Sequence, residues 1–426
     1  MTHNDYTRKI LNIKDENIYF FENCLEIKNI NNVDTQVYKA ILTYIPDSCP
    51  CCGIINYSHK DIIKWGFKHN CKVKLPKVSN FNVLLILSKQ RFYCKRCNNT
   101  FLASTPLVDK FHNISNNTDL TIKLDLMTKS SEKDIAKRNN VSVSKVNRIL
   151  DSISKKTILP APSLPKEMNW DEFKATNDTT TKMAFIVTNN EKGTIFDILE
   201  SRRRKDLNQY FRRYSLKERN KVRLISVDMY KPYISLAEEL FKKADIVIDR
   251  FHIVLQAYNA LNITRVKLCY KSNPNHNKLR KYWRLIVKNE NDLDDKEKSY
   301  SKHFRKHLTQ KEIVTYLINT DETLKATYEC YQGLINSIKN KDFHKFNAII
   351  QNQNKNISEH MKKALRTYKR FLPYIENSFK YEINNGIIEG TNNLIKCIKR
   401  ISFGYRSFSH FKARILLIKG HIIYTN

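Results

Sequence analysis

Residues Val222–His252, VRLISVDMYKPYISLAEELFKKADIVIDRFH, decide the predicted fold. The segment VRLISVDMY is apolar up to Asp228 and predicts a buried strand that ends at this acid. Tyr233 to Lys243 have the spacing of an amphipathic helix, and ADIVIDRFH predicts another strand, which ends at Asp249. Because α/β folds commonly place active sites at strand ends, these two aspartates are candidate site residues.

Three further strands are predicted before this segment. MNWDEF from Met168, KMAFIVTN from Lys182 and GTIFDILE from Gly193 are short segments separated by turns. A basic helix follows them and carries Arg202, Arg203, Arg204, Lys205, Arg212 and Arg213. Three strands, a helix, a strand, a helix and a strand are the element order of a ribonuclease-H-like core. The predicted fold class is therefore multidomain α+β and α/β, with a ribonuclease-H-like catalytic core.

The chain after this core is polar and helical from about Ile253 to Glu382. One helix face carries the apolar residues Leu324, Tyr328, Tyr331, Leu334 and Ile338. This spacing indicates packing between helices rather than a cofactor site. We therefore expect an all-helical insertion at about residues 255–382, which interrupts the core.

A helix after the insertion carries a third acid, in the segment Asn384–Arg414, NNGIIEGTNNLIKCIKRISFGYRSFSHFKAR. Its predicted apolar stripe consists of Ile387, Thr391, Leu394, Ile398 and Ile401. Another face presents Glu389, Asn393, Lys396 and Arg400, and Arg406 follows the helix. Gly386 and Gly390 flank Glu389 and leave room for another backbone. An acid followed by bases suits a metal held against a phosphate backbone, although a solvated helix face is the alternative.

A proline-rich segment, Pro160–Pro165, predicts a stiff linker and a domain boundary. Before it, SSEKDIAKRNNVSVSKVNRILDSI predicts two short helices joined by a turn at Asn139–Ser142. This pattern is typical of a helix-turn-helix, although an ordinary helical hairpin has the same spacing. In the first case the second helix presents Ser142, Ser144, Lys145, Asn147 and Arg148 to a major groove.

Two C-x-x-C pairs lie near the N-terminus. Cys49 with Cys52 and Cys94 with Cys97 supply the four thiolates that a tetrahedral structural zinc site needs. The segment VLLILSKQRFY, Val83–Tyr93, predicts a strand that leads into the second pair, as in a zinc ribbon. A redox dithiol needs one such pair rather than two. Cys51 and the cysteines elsewhere are predicted to be ordinary thiols, and His59 or His69 is an alternative ligand.

Composition limits the function classes. The chain has 426 residues, enough for two to four domains, and a formal net charge of +33 that is spread along its length. This charge favours a long polyanionic partner. The sequence has no apolar signal segment, which predicts a cytoplasmic, nucleoid-associated protein. The sequence also lacks a GxxxxGKS phosphate loop, so we do not expect ATP use. It lacks a Gly-x-Ser-x-Gly elbow as well, so nothing indicates a serine hydrolase.

Three acids, Asp171, Asp228 and Glu389, are the candidates for phosphodiester chemistry. Two Mg²⁺ (or Mn²⁺) ions roughly 3.5–4 Å apart activate the attacking oxygen and stabilise the leaving oxygen, and carboxylates are the ligands that they prefer. Asp228 is expected to bridge the ions, with Asp171 and Glu389 on either side. Glu172 is an alternative to Asp171, and Asp249 is a rival second acid.

Together these segments resemble the DDE transposases of the L-three insertion-sequence family of bacteria. The shared motifs are CPCCG, CKRC with RFYC, the helix-turn-helix pattern, WDEF, SVDMY, DRFH, and GIIEGTNNLIKCIKR followed by FGYRSF. The resemblance extends over nearly the whole chain, and the last block is the most specific. Two departures concern the turns: Asn189-Asn190 stand where the family usually has an acid, and the segment after Asp171 lacks the usual glycine.

The resemblance implies that Asp171, Asp228 and Glu389 are the catalytic acids and that the four paired cysteines bind one zinc ion. It also implies that Asp249 and His252 form an accessory pair near the active site. The implied activity is metal-dependent cleavage at element ends, followed by attack of the freed 3′-hydroxyl on target DNA. The implied partners are the double-stranded terminal inverted repeats and target DNA, bound by a homodimer or a larger assembly.

The resulting domain prediction has four parts. Residues 1–110 form an N-terminal segment with the zinc module, 111–158 the helix-turn-helix domain, 159–166 the linker, and 167–426 the catalytic domain with its insertion. Two rival functions remain open at this point. One is a DNA-binding regulator that kept the fold without the chemistry, and the other is a nuclease that hydrolyses DNA without joining it.

Overall fold

The computed structural model describes residues 3–57, 59–156, 163–382, 386–422 and 424. The chain divides into two compact units, one of Met1–Ile158 with Ile395–Asn426 and one of Leu159–Leu394. The predicted linker, Pro160–Pro165, lies in part outside the described residues. Within the described ranges, no helix has the length and apolar character that crossing a membrane requires.

The N-terminal part of the first unit is a five-stranded sheet preceded by a helix. Its elements are α1 (His3–Ile10), β1 (Ile18–Ile30), β2 (Val33–Leu42), β3 (Ile62–Val78), β4 (Phe81–Cys94) and β5 (Thr100–Leu102). The sheet order is β1-β2-β4-β3, and β5 pairs with β4. The predicted strand at Val83–Tyr93 is confirmed as β4, in which Val83, Leu85 and Leu87 alternate into the core.

Three helices follow this sheet: α2 (Asn116–Leu126), α3 (Glu132–Arg138) and α4 (Val143–Lys156). The two predicted helices and the turn between them are confirmed as α3, α4 and residues 139–142. Ser131 begins α3 by accepting a hydrogen bond from the backbone N–H of Asp134 at 3.1 Å. Asn140 takes a positive φ of 52° in the turn, a conformation that asparagine tolerates.

The second unit contains a five-stranded mixed sheet. Its elements are β6 (Glu167–Lys174), β7 (Met183–Asn189), β8 (Thr194–Leu199), α5 (Arg204–Arg212), α6 (Leu216–Arg219), β9 (Leu224–Val227), α7 (Lys231–Leu240) and β10 (Asp245–Ile248). The sheet order is β10-β9-β6-β7-β8. Strands β6, β7 and β8 are antiparallel, whereas β9 and β10 run parallel to β6. The predicted succession of strands and helices is confirmed, with α6 as an additional short helix.

An insertion follows β10 in the same unit. It comprises α8 (Arg250–Lys267), α9 (His276–Lys281), α10 (Trp283–Ile286), a 3₁₀ turn (Glu290–Asp292), β11 (Ser299–Ser301), β12 (Lys306–Leu308), α11 (Gln310–Ile318), α12 (Glu322–Lys339), α13 (Phe343–Gln351), α14 (Glu359–Arg370) and α15 (Leu372–Lys380). The prediction of an all-helical insertion is wrong, because β11 and β12 form an antiparallel hairpin. Strands of three residues are too short to show the alternating pattern on which the prediction relied.

The insertion returns to the core sheet through α15, which lies along the edge strand β10. Asn377 donates its side-chain N–H to the carbonyl of Ile246 at 2.9 Å, and Ser378 donates its hydroxyl to the carbonyl of Ile248 at 2.6 Å. These bonds satisfy edge carbonyls that otherwise lack a partner strand. They also fix the end of β10 immediately before Asp249.

Two helices end the chain, α16 (Gly386–Ile401) and α17 (Phe408–Ile418). The buried face of α16 consists of Ile388, Thr391, Ile395 and Ile398. Thr391 and Ile398 of the predicted stripe are thus confirmed, whereas Ile387, Leu394 and Ile401 are only partly buried, and Ile388 and Ile395 are buried instead. The expected close approach at Gly390 is also wrong: among the described atoms, nothing lies within 4 Å of the position of a Cβ there.

Residues from Ile395 onward group with the N-terminal unit. Ala413 and Leu417 of α17 share one core cluster with Ile122 of α2, Ile135 of α3 and Leu150 of α4. The boundary between the two units at Leu394 and Ile395 differs from the predicted one, which assigned the whole C-terminus to the catalytic domain. The C-terminal helix thus completes the core of the helical part of the first unit.

Arg414 is the largest fully buried polar side chain among the described residues, and it is 1% exposed. Its guanidinium donates hydrogen bonds to the carbonyls of Leu126, Thr128 and Ser130, at the end of α2 and in the following loop. The last carbonyls of a helix have no partner within the helix, so one buried cation satisfies several acceptors at once.

We expect Arg414→Met to destabilise the first unit by at least about 3 kcal/mol, because it leaves buried carbonyls without donors while keeping the side-chain volume. Chemical denaturation followed by circular dichroism measures the loss. Arg406→Ala is the matched control, since Arg406 is exposed and its removal is expected to cost less than about 0.5 kcal/mol. Equal stability of both variants would show that the buried guanidinium does not hold α17 against α2.

Candidate active site and four-cysteine cluster

Three aspartates lie at the same level on neighbouring strands of the second sheet. Asn169 of β6 pairs with Ser226 of β9, so Asp171 and Asp228 are each two positions further along parallel strands. Ile248 of β10 pairs with Val227, so Asp249 is level with Asp228. Parallel strands end at one edge of a sheet, and this register therefore brings the three acids to one place.

His252 closes the group from the first turn of α8. Its Nε2 lies 2.8 Å from Oδ1 of Asp228 and 3.9 Å from Oδ2 of Asp249. Asp249 is the N-cap of α8 and accepts a hydrogen bond from the N–H of Phe251 at 2.8 Å. Potential ligand atoms of Asp228, Asp249 and His252 all lie within 4.8 Å of one another. The accessory pair of the sequence analysis thus lies against Asp228.

The acids set the protonation of this histidine. Burial alone favours neutral imidazole, but the hydrogen bond that His252 donates to Asp228 and the charges of Asp228, Asp249 and Asp171 outweigh it and raise the pKa of His252. His252 is therefore held toward the cationic form that donates to Asp228. This arrangement fixes one carboxylate oxygen of Asp228 and partly neutralises the group.

The surroundings of Asp171 oppose its charged form, whereas those of His252 favour the charged form. Burial and the neighbouring charge of Asp228 raise the pKa of Asp171 to about 6. Its Oδ1 accepts the backbone N–H of Glu172 at 2.7 Å, and its Oδ2 accepts the side-chain N–H of Asn392 at 2.6 Å. A carboxylate that is buried beside another carboxylate is suited to a cation, which relieves the repulsion between them.

Asn392 brings α16 onto the site, although 221 residues separate it from Asp171. The carbonyl oxygen of its side chain is buried and has no hydrogen-bond partner among the described residues. A buried oxygen without a donor, next to a carboxylate with a raised pKa, fits the oxygen-rich ligand set of a hard divalent cation. The donor set of the site is thus compatible with the divalent ions expected from the sequence.

Glu389 lies one turn before Asn392 on the same helix, and its side chain is exposed. Residues three apart share a helix face, so Glu389 lies on the side of α16 that carries the bond to Asp171. The tight cluster around Asp228 includes Asp249 and His252 rather than Glu389. Asp171 also lies outside this cluster: strand register and the charge that raises its pKa relate it to Asp228, whereas Glu389 is linked to Asp171 only through its helix.

Glu172, the alternative to Asp171, has a different set of partners. Both of its carboxylate oxygens accept from Nη1 of Arg202, at 2.7 and 2.8 Å, and one also accepts from the hydroxyl of Tyr233 at 2.9 Å. The arginine already compensates its charge. This pairing favours Asp171 over Glu172 as a ligand for a further cation.

We expect Asp171→Asn to stabilise the metal-free protein at pH 8 by roughly 1–3 kcal/mol. The folded-state pKa of Asp171 is raised to about 6, so keeping the carboxylate charged costs stability above pH 6, and this cost disappears as the pH falls below the unfolded pKa near 4. The gain is therefore expected to vanish near pH 4. Urea denaturation without Mg²⁺ or Mn²⁺ at both pH values measures it, and a gain that does not depend on pH would contradict the assignment.

The predicted zinc ligands lie together in the first unit. The Sγ atoms of Cys49, Cys52, Cys94 and Cys97 are all within 4.8 Å of one another. The Cys49–Cys97 and Cys52–Cys94 sulfur distances are 3.7 and 3.8 Å. A tetrahedral zinc ion with Zn–S bonds of 2.3 Å separates its sulfurs by about 3.8 Å, so the cluster has the size that zinc needs. Cys51, His59 and His69 lie outside it.

The two knuckles have the same backbone design. The N–H of Gly53 bonds to the carbonyl of Cys49, and the N–H of Asn98 bonds to the carbonyl of Cys94, both at 2.9 Å. Both residues take positive φ, 75° and 58°, which glycine and asparagine tolerate. Burial opposes ionisation of Cys49, but the N–H groups of Cys52 and Cys51 lower the pKa of its thiol to about 6. A thiolate is the form that binds metal.

The predicted DNA-contact residues differ in their exposure. Those with exposed side chains are Ser142, Ser144, Arg148, Asn393, Lys396, Arg400 and Arg406. Lys145 instead pairs with Asp119 at 2.8 Å and is 14% exposed, and a side-chain oxygen of Asn147 is buried. These two residues of α4 thus contribute to packing within the unit, which the spacing of the sequence did not predict.

Comparison with known proteins identifies the family of the chain. Residues 169–415, more than half of the chain, match the family described as transposase, of the DDE class and the L-three insertion sequences. The chain belongs to this family. A protein of Lactococcus lactis subsp. lactis named as an ATP-dependent protease is 35% identical over 133 residues. Those residues are 31% of this chain and 43% of that protein, so the chain spans less than half of the relative's length.

Proposed function

We propose that the chain is an active transposase that cuts DNA at the ends of an insertion sequence and joins the freed 3′-hydroxyl to target DNA. The observation that carries this proposal is the convergence of Asp171, Asp228, Asp249 and His252 at one sheet edge, with α16 held on Asp171 through Asn392. The mixed sheet with three antiparallel strands followed by two parallel ones supports a ribonuclease-H-like core.

The roles of the residues follow from their contacts. Divalent metal ions, held by Asp171, Asp228 and Glu389, would activate the attacking oxygen and stabilise charge on the leaving oxygen. Asn392 orients one oxygen of Asp171, and His252 orients one oxygen of Asp228. Glu389, one turn from Asn392 on the exposed face of α16, would complete the ligand set from that helix. The carboxylate of Asp249, with Oδ2 3.9 Å from Nε2 of His252, adds a second negative charge beside this imidazole.

The first unit supplies DNA recognition in this proposal. The four-cysteine cluster binds one zinc ion and holds the knuckles in place, and α3 with α4 forms a helix-turn-helix that contacts the terminal inverted repeats through Ser142, Ser144 and Arg148. The exposed Lys396, Arg400 and Arg406 of this unit, and Asn393 of the second unit, contact phosphates, so affinity falls steeply with salt. Two element ends must be cut together, and the working form in the cytoplasm is therefore a dimer or a larger assembly on DNA.

The test is an assay with a duplex that carries element ends, a target plasmid and Mg²⁺. We expect both cleaved ends and strand-transfer products. Cleaved ends without joined products would indicate a nuclease, and binding without either product would indicate a regulator that lost the chemistry. A protein–DNA complex that stays monomeric through cleavage would contradict the proposed assembly.

A further inference from the structure

Two clefts adjoin each other beside Asp228. The first, about 360 Å³, is lined by Asp228 and His252 together with Glu172. The second, about 700 Å³, is lined by Lys182, Arg203 and Lys231. Arg202, Tyr230 and Tyr233 line both clefts, so they form one continuous groove that is acidic at the site and basic beyond it.

The basic part of the groove contains cations that form no ion pair with the described residues. Arg202 is paired with Glu172, and Arg204 is paired with Glu239 at 2.8 Å. Lys182, Arg203 and Lys231 are exposed and form no ion pair with any residue that the structure describes. Three cations without a carboxylate partner around one cleft create a positive potential that attracts anions such as phosphates.

Tyr230 adds an aromatic surface between the two parts. Its side chain is 44% exposed and packs edge-on against the ring of Tyr233, with ring centres 4.9 Å apart and an angle of 79°. Tyr233 is buried and its hydroxyl is bound to Glu172, which in turn is bound to Arg202. Tyr230 is thus an exposed ring on a rigid support, which is the form of a stacking platform for a base.

We propose that this groove binds unpaired nucleotides next to the scissile phosphate, with a base stacked on Tyr230 and the flanking phosphates on Lys182, Arg203 and Lys231. This inference rests on the proposed function and specifies its substrate as DNA with a locally single-stranded end. A base within a duplex has both faces covered by its neighbours, whereas an unpaired base offers a face to an aromatic side chain. The cations hold the backbone on one side and the acids receive the reacting phosphate on the other.

The experiment compares full-length protein on two labelled probes without Mg²⁺ or Mn²⁺ and without a chelator, so that no cleavage occurs and structural zinc is retained. One probe is a blunt duplex, and the other is the same duplex with a five-nucleotide single-stranded tail. We expect the wild type to prefer the tailed probe by about tenfold or more. Tyr230→Ala is expected to lose about tenfold on the tailed probe and less than twofold on the blunt one. Tyr230→Phe keeps the ring and is expected to retain the preference.

A second variant tests the cations. Lys182→Ala with Lys231→Ala is expected to reduce the salt dependence of binding to the tailed probe, because two phosphate contacts are lost. Equal affinity of the wild type and Tyr230→Ala for the tailed probe, or an equal loss on both probes, would overturn the proposal. The binding assay requires no catalysis, so the two proposals can fail separately. A protein that does not cut DNA but still prefers the tailed probe would contradict the proposed function and support this inference.

Discussion

Asp228→Asn is expected to lower metal-dependent cleavage of element-end DNA by about 1,000-fold or more. Asp228 is at the centre of the site: it is level with Asp171 and Asp249, it raises the pKa of Asp171, and it accepts from His252. Replacing the carboxylate with an amide removes the charge that would hold a divalent ion, and a loss of about 4 kcal/mol of transition-state stabilisation corresponds to that factor.

The control for this prediction is Glu191→Gln, which removes an acid of the same unit that pairs with Arg223 at 3.3 Å, outside the site. We expect it to keep wild-type cleavage, and both variants to keep wild-type affinity for DNA when Mg²⁺ and Mn²⁺ are left out. Cleavage assays on a labelled duplex with Mg²⁺ give the two rates. If Asp228→Asn cut as fast as the wild type, Asp228 would have no place in the mechanism.

Cys94→Ser is expected to have the largest effect on stability. Cys94 is fully buried in the core of the N-terminal sheet, and its sulfur faces that of Cys52. Structural zinc contributes about 10–16 kcal/mol of apparent binding free energy in small zinc domains, so losing one ligand is expected to unfold this sheet. Metal analysis is expected to find about one zinc per chain in the wild type and almost none in the variant.

Cys51→Ser provides the matched control for the zinc prediction. Cys51 lies between Cys49 and Cys52 in sequence, but it is exposed and outside the four-cysteine cluster. This variant is therefore expected to keep its zinc and its thermal stability. Zinc retained by Cys94→Ser, or zinc lost equally by both variants, would contradict the assignment of the ligands.

Local patterns predicted much of this molecule. The strands of the second sheet, the turn at residues 139–142 and the two C-x-x-C knuckles depend on residues close in sequence, and all were predicted. Asp171 and Asp228 lie side by side because of the register between strands β6 and β9. The order of elements suggests that these strands pair but does not determine their register. Residues whose environment is set by neighbours along the chain are the ones that sequence analysis places well.

Contacts between distant segments were not predictable in the same way. Asn392 was passed over because nothing local shows that its amide meets Asp171, and its only signal was a polar side chain one turn after Glu389. Nothing local in the sequence distinguishes Arg414 from the other basic residues, although it is buried among carbonyls. Lys145 was predicted to face DNA, but its side chain pairs with Asp119. This contact joins two segments distant in sequence, which the spacing of residues along the chain does not show.

The central claim is that acids distant in sequence form one site for divalent metal ions. X-ray diffraction at the manganese edge, from crystals of the protein with element-end DNA and Mn²⁺, tests it most directly. We predict anomalous density between the carboxylates of Asp171 and Asp228, with Glu389 among the ligands. Manganese bound elsewhere, with Asp171 and Asp228 free of metal and the DNA end held away from them, would contradict the account.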